Sequence, residues 1–258
     1  MKNSPASEKK NTDILSADAI KSLLPEDFSG DLIVLETTES TNLDAAKIVK
    51  TAPHGTTILA DAQTAGRGRL GRSFFAPSGG IYMSMILRLN LAFSDAVLIT
   101  TAASVAVCKA VEAVSSVRPQ IKWVNDILVD GKKVCGISCE AVSAGETIDA
   151  VILGVGINFS AQEFPKELQD TAGVLFSKPP ISRNVLTAEI LKNLLEETKD
   201  LASRKFIEDY RMRSAVIGKP IRYLEAGVWH DADVVGINEN GGLIVLENGI
   251  SKTLVSGE

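Results

Sequence analysis

Four strand-like segments follow one another between residues 120 and 157, and the turns between them restrict how the chain can fold. Residues 120–124, 127–129, 133–142 and 147–157 are rich in Val and Ile, which suit a pleated, half-buried surface. Asp130-Gly131 is a two-residue hairpin signal, and Ser143-Ala144-Gly145-Glu146 reads as a second turn. Connections this short join antiparallel neighbours. Just upstream, Ala96–Val114 is a long run of Ala and Val with little polar face, so it reads as a helix buried in the core. Strands in a meander beside such a helix predict an α+β fold, with a mixed, largely antiparallel sheet flanked by helices.

The remaining elements follow from periodicity and punctuation. Residues 1–12 form a polar tail that carries no fold information. A short helix starts near Ile14, with Ser16 as N-cap and Pro25 as its stop. Residues 32–35 and 56–60 read as strands around a helix over 43–50 that Ser40, Thr41 or Asn42 caps, and 81–89 as a buried strand. Residues 61–80 and 159–180 are long loops, and 185–201 and 206–211 amphipathic helices. From Gly218 the pattern changes to short strands at 220–224, 233–237, 243–246 and 251–254, the spacing of a small β-barrel. The chain therefore divides into a tail with a short helix (1–30), a main unit (31–216) and a small C-terminal unit (217–258).

Composition removes several functional classes. The 27 Lys and Arg against 32 Asp and Glu leave a net charge of −5, which argues against a dedicated nucleic-acid binder without excluding a local cationic site. No apolar run reads as a membrane span and the opening residues lack a secretory signal, so the expectation is a cytoplasmic protein. Cys108, Cys135 and Cys139 form no CxxC pair and read as small buried hydrophobes. His54 and His230 sit in neither a metalloprotease motif nor a triad context.

Residues 66–72 carry the most informative chemistry. Gly66-Arg67-Gly68-Arg69-Leu70-Gly71 spells GxGxxG, but Ser73-Phe74-Phe75-Ala76-Pro77 cannot open the helix that a dinucleotide site requires. A Walker-type GxxxxGK[ST] is absent. A solvated surface loop is the plain alternative. Against it, three arginines within six residues, set among glycines that free the backbone, are costly to order unless an anion is held. Lys122-Trp123-Val124-Asn125-Asp126 ends one strand, and Lys132-Lys133 opens the strand that pairs back on it. A strand-end Asn-Asp is most often a turn, yet this hairpin brings Asp126 and Lys133 together. A cationic anion site with a lysine and a carboxylate suits nucleotidyl transfer.

These segments resemble the biotin protein ligases. The resemblance rests on Glu39-Ser40-Thr41-Asn42, on residues 63–72 (QTAGRGRLGR), on Lys122-Trp123-Val124-Asn125-Asp126, on Lys133-Val134-Cys135-Gly136-Ile137 and on Gly154-Val155-Gly156-Ile157-Asn158, in the family's order. It implies a class II synthetase-like ligase core over 31–216 with an SH3-like C-terminal barrel. The implied reaction forms biotinyl-5′-AMP from biotin and MgATP, then passes biotin to a lysine of a biotin carboxyl carrier domain. By resemblance Ser40, Thr41, Asn42 and Gln63 line the biotin pocket, Arg67, Gly68 and Arg69 fold over biotin, and Gly136 lets the ligand approach the strand. Lys133 and Arg69 bridge the biotin carboxylate and the α-phosphate, which neutralises two anions forced together. Gly66, Lys122, Asn125, Asp126 and Asn158 fall on the nucleotide side, and Arg72 meets the pyrophosphate. Asp126 holds Mg²⁺ or accepts the proton of the acceptor lysine; the residues alone leave both open.

The chain departs from the family pattern in having Val124 where Pro is common and Phe74 where Trp is common. Phe159, Phe164 and Phe176 are the candidates to cover adenine. With about 30 residues before the core there is no room for a DNA-binding winged helix, so operator binding is not expected. An edge strand of the meander offers a route to a homodimer. The competing functions are a lipoate or octanoate ligase and a catalytically silent biotin-binding module.

Overall fold

The computed structural model describes residues 13–89, 96–144, 147–160, 162–225 and 227–257; the polar tail and part of the turn at 143–146 lie outside them. The helices are α1 (Ala17–Lys21), α2 (Thr41–Ile48), α3 (Ala96–Val114), α4 (Arg183–Lys199) and α5 (Phe206–Met212). Strands β1 (Leu32–Thr38), β2 (Thr57–Gln63), β3 (Ile81–Leu87), β4 (Gln120–Lys122), β5 (Asp126–Val129), β6 (Lys132–Ala144) and β7 (Thr147–Ile157) form one sheet. Its spatial order is β1-β2-β3-β7-β6-β5-β4. The β1–β2 pair is parallel, with α2 in the crossover, and the other pairs are antiparallel. The α+β expectation holds.

Both faces of the sheet centre are covered, which is why every residue of β3 is buried. Ile58, Ile86 and Ile152 face α2, packing on Ala45 and Val49. Leu59, Met85 and Leu153 belong to the larger cluster on the other face, with α3 and α4. Among the described residues α3 is the one helix long and apolar enough to cross a membrane by composition, but most of it is buried inside the fold. Its buried Thr101 and Ser104 hydroxyls donate to the Val97 and Thr100 carbonyls at 2.8 Å, so no polar atom is stranded there. Burial pushes the Cys108 and Cys139 thiols up to about 12, and that of Cys135 higher still, as suits packing residues.

An ion network fastens the helical layer. Lys109 of α3 reaches Glu197 of α4 and Asp209 of α5, both at 2.7 Å, while Arg213 joins Asp209 at 3.2 Å and Glu112 at 2.9 Å. Partial burial alone would raise the Asp209 carboxyl; Lys109 and Arg213 outweigh it and hold the group below the usual carboxylate range. A native pKa below the unfolded one means stabilisation present above about pH 4 and lost as pH falls through the lower native value. The melting temperature should therefore drop on acidification below about pH 4, and less steeply in Asp209→Asn, as thermal melts across pH would read.

The C-terminal unit contains β8 (Pro220–Glu225), β9 (Val228–Ile237), β10 (Leu243–Glu247) and β11 (Ile250–Leu254), ordered β11-β10-β9-β8. Among the described residues this is an open antiparallel sheet with β8 and β11 at its edges, so the expected barrel closure is not observed. Strand β9 begins five residues before the sequence pattern suggests. Its start, Val228-Trp229-His230-Asp231, lacks apolar alternation and is held instead by pairing with β8. The sheet is seated on the main unit: the Trp123 indole donates to the Gly241 carbonyl at 2.9 Å, and Arg211 Nε to that of Ile237 at 2.7 Å.

Candidate active site

A cleft of about 370 Å³ opens between the loop over residues 64–80 and the surface of β3, β7, β6 and β5. Of the residues read from the sequence as biotin, nucleotide or catalytic groups all but Gly66 and Asn158 line it, whereas none of the adenine-cover candidates Phe159, Phe164 and Phe176 does. One end is built from short polar side chains. Ser40 is the N-cap residue of α2 but makes no side-chain capping bond. The Gln63 Oε1 at the end of β2 accepts from the Thr41 backbone N–H at 2.8 Å and from its hydroxyl at 3.2 Å, which fixes the amide. Ser84 of β3, fully buried, donates to Asn42 Oδ1 at 2.5 Å and lies 2.7 Å from the Thr41 hydroxyl. Asn42 Nδ2 donates to Glu140 at 2.6 Å and to Ser138 at 3.3 Å. Sequence reasoning passed over Ser84, Ser138 and Glu140; the one available signal was a lone Ser in the apolar run IYMSMIL.

The glycines of β6 and β7 shape the floor. Gly136 and Gly156 are cross-strand partners, and Phe74 lies over both. A Cβ at 156 would stand 2.7 Å from the Phe74 ring, and one at 136 would stand 3.1 Å from it. The ring packs edge-on to Tyr82 at 6.2 Å. Phe74 thus covers the bare backbone at Gly136 and Gly156.

The other end is cationic. Asp130 (φ 51°) and Gly131 (φ 77°) turn the hairpin, a pair of left-handed residues matching the Asp-Gly signal. An irregularity between Ile127 and Leu128 then sets Lys133 opposite Leu128 and Asp126 opposite Gly136. Lys133 Nζ meets Asp126 Oδ1 at 2.7 Å and stands 5.9 Å from the Phe74 ring. Arg69 Nη1 donates to Asn125 Oδ1 at 3.2 Å, while Asn125 Nδ2 donates to the Ile137 carbonyl at 2.8 Å, so Asn125 brackets the loop to β6. Arg67, Arg69, Arg72, Lys122 and Lys133 face the cleft against a single carboxylate, Asp126. Such a field selects anions.

The loop has more structure than expected. Gln63 bridges Ala76 and Arg67 bridges Ser73, with a 3₁₀ turn over Arg69–Gly71 between them. Gly66 belongs to this architecture rather than to the cleft lining: its carbonyl accepts from the Phe74 N–H at 2.8 Å, and a Cβ would stand 2.5 Å from the Phe74 carbonyl oxygen. No helix follows the glycines, as the reading against a dinucleotide site required.

Asn158 does not line the cleft; its Nδ2 donates to the Gly173 carbonyl at 2.9 Å and to the Lys133 carbonyl at 3.4 Å, which ties the second loop to the start of β6. Its buried Oδ1 has no hydrogen-bond partner among the described residues. Phe159 and Phe176 are core residues, packed edge to face at 5.5 Å, and Phe164 pairs with Phe75 at 6.3 Å. The two buried rings are therefore not available to cover adenine. Trp229 and Gly257 of the C-terminal unit also line the cleft, a contribution no local pattern foretold. Among the described residues no three His, Cys, Asp or Glu side chains gather as a metal cage.

Residues 33–158 match the Biotin/lipoate A/B protein ligase family. A biotin–[acetyl-CoA-carboxylase] ligase of Mycobacterium tuberculosis is 32% identical over 222 residues, covering 80% of this chain and 78% of the relative. The chain belongs to the biotin protein ligases. A Bacillus spizizenii protein, bifunctional ligase/repressor BirA, is 42% identical over 142 residues, but that match spans 54% of this chain and 43% of the relative. The biotin protein ligase of Aquifex aeolicus in complex with biotin and ATP superposes with a TM-score of 0.75 at 29% identity, covering 88% of this chain and 97% of that one. The family match holds every cleft residue except Trp229 and Gly257.

Proposed function

We propose that this chain condenses biotin with MgATP to biotinyl-5′-AMP and transfers the biotinyl group to a lysine of a carboxylase's biotin carboxyl carrier domain. The observation that carries the reading is one cleft with a hydrogen-bonding amide end at Thr41, Asn42 and Gln63 and a cationic end at Arg69 and Lys133. Biotin's ureido ring, with two N–H donors and one carbonyl, suits the first end, and its carboxylate the second. The carboxylate oxygen attacks the α-phosphorus and pyrophosphate leaves. The acceptor amine then attacks the acyl carbon, AMP departs and the amine loses a proton. Lys133 and Arg69 offset the charge of two anions brought together, and Arg67 and Gly68 close over biotin. Arg72 receives the pyrophosphate, Lys122 lies on the nucleotide side, and Gly136 lets the ligand approach the β6 backbone once the Phe74 ring that lies over it moves aside.

Asp126, paired with Lys133, orients that ammonium and lies near enough to the same locus to take the acceptor's proton. Magnesium would enter on the triphosphate, held mainly by phosphate oxygens with Asp126 as the one carboxylate lining the cleft among the described residues. Asn125 and Asn158 belong to the nucleotide side, and the orphan Asn158 Oδ1 is an acceptor suited to the adenine amino group. The catalytic work falls to residues 31–216, with 217–258 as the smaller unit.

A lipoate ligase is the alternative. Lipoate's dithiolane has no hydrogen-bonding group, so it would gain nothing from the polar amide end, whereas biotin's ureido ring can hydrogen-bond there. Purified protein with MgATP and biotin, and separately lipoate, followed by mass detection of the acyl-AMP, tests this. Biotinyl-AMP is the expected product. Lipoyl-AMP alone would move the chain to the sister ligases, and no product would favour a silent binding module.

A further inference from the structure

We propose that Arg183 is a positioning residue for adenylate formation: one buried guanidinium at the start of α4 locks the two roots of the arginine-and-glycine loop to each other and to the segment entering α1. Its kinetic consequence rests on the ligase reading above; its geometry does not.

Arg183 is only 3% exposed. Its Nη1 donates both to the Asp61 carboxylate, on the strand that leaves for the loop, and to the Gly80 carbonyl at 2.9 Å, where the chain returns to β3. Asp61 also accepts from the Ser78 hydroxyl and from the Gly79 N–H at 3.3 Å. On the far side, Nη2 donates to the Asp13 carbonyl, Nε faces the Asp13 carboxylate at 3.5 Å, and that carboxylate accepts the Arg183 backbone N–H at 3.0 Å. One side chain therefore gathers three stretches of chain far apart in sequence.

The ladder cannot do this alone. Pairing between β2 and β3 runs from Thr57↔Met85 to Ala60↔Tyr82 and stops short of the loop. Beyond it the outgoing root is tied to β1 by the Thr64 and Ala65 N–H groups on the Thr38 and Glu39 carbonyls at 2.9 Å, and the loop is bridged internally at Gln63–Ala76, Gly66–Phe74 and Arg67–Ser73. The returning root is held by the Tyr82 hydroxyl on the Pro77 carbonyl at 2.8 Å; joining Asp61 to Gly80 is left to Arg183. Burying a guanidinium costs several kcal/mol before its partners compensate, and apolar packing would be at least as stabilising if packing were the only requirement. Partial burial alone would raise the Asp61 carboxyl, yet Ser78, Arg183 and the Gly79 N–H hold it below the usual range, a sign that the lock is closed. The loop bears Arg67, Arg69, Arg72 and Phe74. A displacement of about 1 Å in such groups is enough to cost roughly a hundredfold in rate.

The test compares Arg183→Gln, Asp61→Asn and Ser78→Ala with the full wild-type chain, reading hydrogen exchange of residues 64–79, melting temperature, and KM and kcat for biotinyl-AMP formation. We expect faster exchange across the loop with β6 and β7 unchanged, and a KM for biotin raised about tenfold or more in Asp61→Asn. If Arg183→Gln does not fold, Asp61→Asn and Ser78→Ala, at the half-exposed end of the lock, still decide. Unchanged loop protection in those variants overturns the proposal, as does activity that falls only with the folded fraction at constant KM. If the wild type makes no biotinyl-AMP, the ligase reading fails, and loop protection alone decides the lock.

Discussion

Lys133→Ala and Arg69→Ala should each remain folded and lose biotinyl-AMP formation by about a hundredfold or more. In the proposed reaction each group faces the point where two anions meet, and removing one preorganised donor from developing charge costs about 10²–10³ in rate. Folding should barely notice. The Lys133–Asp126 pair is partly exposed on both sides, at 36% and 24%, and pairs of that kind contribute about 0–1 kcal/mol. Arg69 is held through one 3.2 Å hydrogen bond to Asn125, whose own anchor on β6 stays intact. Pyrophosphate release against time, beside thermal melts of the same preparations, separates the two quantities. Full adenylate formation by both variants would sink the charge-neutralising role. Asp126→Asn provides a graded comparison: Lys133 loses its partner but keeps its charge, so adenylate formation should fall by less than in Lys133→Ala, while transfer to the carrier lysine is slowed as well.

Much of the fold was legible because it rests on local signals. Asp130-Gly131 demands two left-handed residues, and the hairpin follows; the apolar run Ala96–Val114 has little polar face and reads as a core helix. What escaped was non-local. The start of β9 is a strand because β8 lies beside it, and nothing in Val228-Trp229-His230-Asp231 announces that. The loop over 64–80 owes its internal bridges to Gln63 and Ala76 meeting across a dozen residues. The same division holds at the site. Residues within dense motifs stood out, whereas Ser84, Ser138 and Glu140 are isolated polar positions whose part in the Asn42 network arises only when β3 and β6 come together beneath α2. Asn158 shows the converse: its motif marked it, but the fold spends its amide nitrogen on the second loop and leaves only the oxygen for a ligand.

Gly154→Ala should weaken biotin binding by at least about tenfold and destabilise the protein, although it adds one methyl group. A Cβ at this position would stand 2.5 Å from the Ser138 hydroxyl and 2.6 Å from Asn42 Oδ1, well inside any normal contact. Neither neighbour can yield alone. Asn42 Oδ1 accepts from Ser84 while its Nδ2 serves Glu140 and Ser138, so a shift of the amide breaks one buried and two partly buried bonds. Overpacking of this kind typically costs about 1–3 kcal/mol. Gly71→Ala is the control: that residue has φ +76° but no atom within 4 Å of the added carbon, so its cost is backbone strain of about 1 kcal/mol and the amide end is untouched. Calorimetric titration with biotin separates the two. A biotin Kd within twofold of wild type in Gly154→Ala would mean that the Asn42 network is scaffolding for α2 and does not set the ligand's position.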